Sequence, residues 1–180
     1  MNKEEVIIFD WEKVAYASRM LALNIAKDGR PDLVVGITRG GCCIATIISE
    51  MLRRNMITVC ATRRKNDIEV NDKPILITKV DSELVKGKKI LIVDEIAVTG
   101  ETIEVVKKEL SKIGASEIKT CVIANRSNGD YSCDYTSIYT DKDNIVFPWD
   151  YLVMDNYDNV IVHPWYKKMS KSLVVDLNGM

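Results

Sequence analysis

One stretch constrains the chain more than any other: Ile90-Leu-Ile-Val-Asp-Glu-Ile-Ala-Val-Thr-Gly-Glu-Thr102. The run of apolar β-formers from Ile90 to Val93 ends on two adjacent acids, Asp94 and Glu95, and a small-residue loop leads to Thr99-Gly100-Glu101-Thr102. Apolar residues then recur at helical spacing, at Ile103, Val106, Leu110 and Ile113, which predicts one buried helix face. A buried strand, a loop and a helix start in that order imply an open sheet that binds its ligand at the carboxyl ends of its strands. The free backbone N–H groups of a helix start favour anions, phosphate above all. Two carboxylates just ahead of such a site suit the hydroxyls of a sugar phosphate.

A second stretch of the same kind lies upstream. Leu33 to Ile37 predicts a central strand that feeds Thr38-Arg39-Gly40-Gly41, and the following helix would bury Ile44, Ile47, Ile48 and Met51. Two glycines between strand and helix permit close backbone approach, and Arg39 adds a positive charge. Cys42 and Cys43 fall at that helix start, where a thiol pKa can drop, although small residues packing behind the loop would look the same.

Together the two stretches resemble type I phosphoribosyltransferases. Residues 90–102 are similar to the phosphoribosyl-diphosphate (PRPP) motif, and Val35-Gly-Ile-Thr-Arg-Gly-Gly41 resembles the pyrophosphate loop. A third segment, Asn144-Ile-Val-Phe-Pro-Trp-Asp150, resembles the hood of bacterial xanthine–guanine and archaeal purine enzymes. The resemblance spans roughly residues 10–150. It implies an α/β fold with an open, mostly parallel sheet, helices on both faces, and a small hood from about 141–165. It also implies a cis peptide next to Arg39 and a mobile loop over about 62–73.

The activity implied is transfer of ribose 5-phosphate from PRPP to a nucleobase, a purine in the first instance, with Mg2+ as cofactor and pyrophosphate leaving. Arg39, Asp94 and Glu95 would be catalytic. PRPP would lie against Thr38, Arg39, Gly40 and Gly41, the two acids, and Ala97, Val98, Thr99, Gly100, Glu101 and Thr102, with the Glu101 side chain pointing outward. Asn125, Arg126, Asn144, Ile145 and Trp149 would face the base, and Glu95 and Asp150 the metal. Three residues depart from the 6-oxopurine pattern. Val98 replaces an Asp that handles a base proton, Asn144 stands where an aromatic ring stacks on the base, and Asn125 or Arg126 replaces a Lys. A PRPP- or nucleotide-binding regulator without turnover, or a transferase for another acceptor, remains open.

The rest of the chain fits around these motifs. Asp10 is a plausible N-cap for a helix burying Val14, Ala17, Ser18, Leu21, Ala22 and Ile25, and Gly29 with Pro31 ends it. Strands are expected at 57–61, 74–80, 118–124, 135–140 and 160–162, and a short basic helix at 165–172. Residues 62–73 carry Arg63, Arg64 and Lys65, which could reach a pyrophosphate; a solvated charged turn has the same composition. Val6 to Phe9 has no assigned role, nor has His163, the single histidine.

At 180 residues the chain is expected to form one domain. A net charge of −1 gives no reason to expect nucleic acid or an anionic membrane as partner. Five cysteines without metal spacing, and no signal-like start, predict reduced thiols in a cytoplasm. A homodimer is implied by the resemblance alone.

Overall fold

A computed structural model describes residues 6–65, 68–126, 129–142, 144–155 and 159–169. In chain order it contains β1 (Val6–Ile8), α1 (Trp11–Asp28), β2 (Leu33–Ile37), α2 (Gly41–Leu52) and β3 (Asn55–Val59). Four short strands follow: β4 (Ala61–Thr62), β5 (Arg64–Lys65), β6 (Ile68–Glu69) and β7 (Ile75–Leu76). Then come β8 (Lys89–Ala97), α3 (Glu101–Lys112), β9 (Glu117–Asn125), β10 (Tyr135–Tyr139), β11 (Asn144–Val146), β12 (Leu152–Met154), β13 (Val160–Val162) and α4 (Pro164–Met169). The chain divides into two compact units, one of residues 14–141 and one of residues 1–13 with 142–180.

The larger unit is the α/β core. Its five strands pair in the order β10-β9-β8-β2-β3, every pair parallel. All five residues of β2 are buried, as a strand with both faces covered requires. Successive side chains alternate between faces. Leu33, Val35, Ile37, Ile90, Ile92 and Val122 join one core cluster with Ile103, Val106 and Leu110 of α3. The opposite face meets α2: a Cβ on Gly36 would lie 2.9 Å from the Ala45 Cβ. That close approach explains a glycine in the middle of a central strand.

The helix starts and stops follow the sequence closely. Lys13 N–H donates to Asp10 Oδ1 at 2.7 Å, the expected N-cap bond of α1. Gly29, at φ +104°, terminates it. The expected buried face of α1 is the one observed.

Three expectations need correction. In α2 the inward residues are Ile44, Ala45, Ile48, Ser49 and Leu52, while Met51 is exposed and Ile47 only half-buried, because the helix starts at Gly41 and its face is rotated. β8 does not stop at Val93. Its ladder with β9 runs on through Asp94↔Val122 and Ile96↔Ala124 to Ala97↔Asn125, so the acid pair lies within the strand. The strand expected at 74–80 is only Ile75–Leu76, paired with β4. The helix expected at 165–172 is Pro164–Met169, and residues 170–172 lie outside the described residues. The charged segment forms the β5–β6 hairpin, with Asn66 and Asp67 likewise outside the described residues.

In the smaller unit, β1 pairs in parallel with β11, giving Val6–Ile8 the role that local sequence did not reveal. Rings pack in series there: Phe9 on Phe147 at 5.0 Å, Phe147 on Trp149 at 4.8 Å, and Trp149 tilted on Trp11 at 5.8 Å. β12 and β13 form an antiparallel pair, and Tyr151 stacks on Tyr166 at 4.0 Å.

Candidate active site

Three neighbouring strands, β2, β8 and β9, end on the same side of the parallel sheet, and each releases a loop there. The loop after β2 is Thr38–Gly40. Its Thr38–Arg39 peptide is cis, next to Arg39 as the resemblance implied. Thr38 is tied by N–H to the Val59 carbonyl at 2.8 Å, so the end of β3 holds the loop's entry. Arg39 is exposed, whereas Gly40 and Gly41 are buried.

The first loop lies directly against the acid pair of β8. A Cβ on Gly40 would fall 1.0 Å from Glu95 Oε2, and one on Gly41 would fall 2.7 Å from the Val93 carbonyl and 2.9 Å from the Asp94 Cα. Gly40 has ordinary helical angles, φ −64° and ψ −35°, so lack of space rather than backbone conformation demands glycine there. The Glu95 carboxylate thus rests on the backbone of the Arg39–Gly41 loop.

Asp94 accepts from the Glu95 N–H at 2.8 Å. Its carboxyl is pushed up to about 8, chiefly by burial and further by the negative charge of Glu95, against the lowering effect of that N–H bond. In the ligand-free chain the Asp94 carboxyl therefore keeps its proton well above the usual carboxylate range. The two thiols at the start of α2 move the same way. Burial raises both, then for Cys42 the neighbouring Cys43 and the two acids, and for Cys43 the Glu95 charge. Burial, helped by the acids, thus outweighs the helix start, and the thiol pKa values are raised rather than lowered.

The second loop, Val98–Gly100, leads into α3. Val98 and Thr99 are exposed, and Gly100 adopts φ +74° beneath Tyr131, whose ring atoms lie 2.3–2.5 Å from where a Cβ would sit. The Tyr131 hydroxyl donates to Glu104 Oε1 at 3.1 Å, so the tyrosine braces the first turn of the helix. The Glu101 N–H is directed to Thr99 Oγ1 at 3.4 Å. The Glu101 side chain turns to Arg63, whose Nη2 lies 3.0 Å from Glu101 Oε2. The outward direction expected for Glu101 thus has a defined partner, and Arg63 is engaged at the helix start.

The third loop follows β9. Asn125 is buried, and its Nδ2 donates to the Tyr131 carbonyl at 3.0 Å, so this amide ties the loop back to the tyrosine. Arg126 is half-buried, and its N–H donates to the Ala97 carbonyl at 2.7 Å. Of the two residues considered for a base-facing donor, Asn125 has this structural tie. Ser127 lies outside the described residues.

Four of the expected residues belong to the smaller unit. Asn144 and Ile145 lie in β11 opposite Val6 and Ile7. Trp149 has one ring face on Phe147, the aromatic packing that competes with a base-stacking role. Asp150 Oδ2 accepts from the Phe147 N–H at 3.3 Å and so caps its own turn. Nothing in the sequence marks Tyr131 as a brace or pairs Arg63 with Glu101. A partly exposed Arg and a loop Tyr carry no periodic signal.

The family model for the phosphoribosyl transferase domain matches residues 7–155. The chain belongs to this family. It is 31% identical over 146 residues to the xanthine-guanine phosphoribosyltransferase of Cereibacter sphaeroides, covering 78% of this chain and 84% of that protein. It is also 31% identical over 137 residues to the transcriptional regulator GfcR of Methanococcus maripaludis, covering 72% of this chain and 65% of the regulator. Among solved structures, the purine phosphoribosyltransferase of Pyrococcus horikoshii superposes with a TM-score of 0.68 at 31% identity, over 79% of this chain and 92% of that one. The fold described above is therefore a phosphoribosyltransferase fold.

Among the described residues, no group of three or more His, Cys, Asp or Glu side chains converges as a ready metal cage. Mg2+ rarely uses such a cage; it takes one or two carboxylates and completes its shell with water and substrate phosphates. The hard oxygens of Asp94 and Glu95 beside the 38–41 loop fit that mode of binding. No described helix is long and apolar enough to cross a membrane.

Proposed function

We propose that this chain transfers ribose 5-phosphate from PRPP to a ring nitrogen of a nucleobase, a purine in the first instance, and releases pyrophosphate. The observation that carries the proposal is the contact of Gly40 and Gly41 with Glu95 and Asp94. It joins a carboxylate pair suited to ribose hydroxyls to a backbone loop suited to pyrophosphate. The purine preference is supported by the similarity to the Cereibacter and Pyrococcus enzymes.

In this reading the bond from C1′ to the pyrophosphate oxygen breaks, and the electron pair leaves with pyrophosphate. C1′ gains cationic character, a bond to the base nitrogen forms, and the base gives up its proton to water. Arg39 and the amides of residues 38–41 hold the leaving group through charge and hydrogen bonds directed at the developing anion. Asp94 and Glu95 orient the ribose by its hydroxyls, and the negative charge of the pair, centred on Glu95, favours the cationic sugar. The amides and hydroxyls of Ala97 to Thr102 hold the 5′-phosphate at the start of α3. Mg2+, held by Glu95 and substrate oxygens, would supply charge neutralisation for the departing pyrophosphate.

Val98 supports a second reading. Val98 is 39% exposed, so the loop offers an alkyl group where a proton-accepting carboxylate would stand. Together with the similarity to GfcR, this suits a protein that binds PRPP or a nucleotide and does not turn it over. A pyrophosphate-release assay with PRPP, Mg2+ and a panel of purine and pyrimidine bases separates the two. Turnover with at least one purine is expected. PRPP binding without release for any base would establish the regulatory reading instead.

A further inference from the structure

The Arg63–Glu101 ion pair is unlike the other contacts around the loops, because it places an acid at the start of a helix that the reading above assigns to a phosphate dianion. Glu101 is the first residue of α3, and its own N–H, directed at Thr99 Oγ1, is one of the amides that the reading above assigns to the phosphate. A carboxylate beside an incoming phosphate repels it. The guanidinium of Arg63 offsets that repulsion at a distance of 3.0 Å. Its backbone is fixed for the purpose: the Arg63 carbonyl accepts from the N–H groups of Val70 and Asn71 at 2.9 and 3.1 Å. Both side chains are partly exposed, at 34% and 41%, so the pair is screened by water and is exchanged at little cost. A phosphate dianion offers a guanidinium more charge and more acceptor oxygens than a carboxylate does.

We propose that Arg63 is a specificity-determining residue for the 5′-phosphate, and that Glu101 holds its guanidinium in place until the phosphate takes it over. The inference rests on the PRPP reading and deepens it. Glu101 acts as a placeholder that favours a dianion over weaker anions at this loop, since only a strong acceptor displaces it from Arg63. The neighbouring acid Glu104 does not take part in the exchange, because it is engaged with Tyr131 and Lys107.

The test is calorimetric titration of PRPP, of ribose 5-phosphate and of pyrophosphate into the full chain and into Arg63→Gln, Arg63→Lys, Glu101→Gln and the double variant Arg63→Gln/Glu101→Gln, with thermal melting to show that each is folded. Loss of a charge-assisted hydrogen bond predicts that Arg63→Gln weakens ribose 5-phosphate about tenfold or more. Arg63→Lys should recover part of that loss. Removing the competing carboxylate in Glu101→Gln should tighten ribose 5-phosphate by about two- to fivefold, the range of a partly exposed ion pair. That gain should vanish in the double variant, and pyrophosphate affinity should stay unchanged throughout. Unchanged ribose 5-phosphate affinity in Arg63→Gln, or an effect of equal size on pyrophosphate, overturns the inference while leaving the PRPP reading intact. A wild-type chain that binds neither PRPP nor ribose 5-phosphate overturns both.

Discussion

At Gly40 and Gly41 the same substitution has two different consequences, because the atoms in the way differ. An alanine at 40 meets the end of the Glu95 side chain, which can swing aside, whereas an alanine at 41 meets the backbone of Val93 and Asp94, which cannot. Gly41→Ala should therefore destabilise the fold by about 1–3 kcal/mol, the usual cost of overpacking. Gly40→Ala should melt within about 1 kcal/mol of wild type and instead lose affinity for Mg2+·PRPP, since Glu95 is displaced. Melting curves and titrations on the two variants check this, and normal PRPP affinity in Gly40→Ala would contradict it. Asp94 carries a pH prediction of definite sign. Its raised carboxyl pKa means that the folded state binds the proton more tightly than the unfolded state between pH 3.8 and about 8. Stability without ligand or metal therefore falls as pH rises through that window, by at most about 1.4 kcal/mol per pH unit from this group. Asp94→Asn has no such proton, so its melting temperature should fall less with pH than that of the wild type. Parallel curves for the two proteins would show that burial of Asp94 is not the cause.

Among the elements, the start of α3 depends on a residue from another segment. Tyr131 covers Gly100 and reaches Glu104, and Asn125 holds the Tyr131 carbonyl. Tyr131→Phe removes only the hydroxyl bond and should cost about 1 kcal/mol or less. Tyr131→Ala also uncovers the helix start and, for a half-buried ring, should cost about 2 kcal/mol. Denaturant midpoints order the two variants, and equal losses would show that the ring contributes nothing beyond its hydroxyl. The elements also show what a sequence can and cannot convey. The α1 cap, the buried face of α3 and both loop motifs were legible because they depend on neighbours a few residues away. β8 ran past the acid pair because ladder bonds to β9 override the local polarity of Asp94 and Glu95. β1 was not legible because three apolar residues carry no signal of a partner as distant as β11. The Arg63–Glu101 and Asn125–Tyr131 ties were hidden for the same reason: side-chain pairing across loops leaves no period in the sequence.

For the molecule as a whole, the proposed function follows from the parallel sheet. Because β9, β8 and β2 are adjacent and all run the same way, their three loops emerge at one edge, where under the proposed function an anionic sugar ligand would meet amides, carboxylates and a guanidinium. Any ligand bound at that edge only in the folded state also stabilises the fold, by about 2.7 kcal/mol when present at a hundred times its dissociation constant. PRPP with Mg2+ should thus raise the melting temperature, and the central claim is that the Asp94–Glu95 pair carries this binding. The most direct measurement is a calorimetric titration of Mg2+·PRPP into the wild type and into the Asp94→Asn/Glu95→Gln double variant, with folding of both checked by melting in the absence of ligand. Saturable binding by the wild type and a large loss of affinity in the folded double variant are predicted. Equal PRPP affinity in the two proteins would contradict the role given to the acid pair.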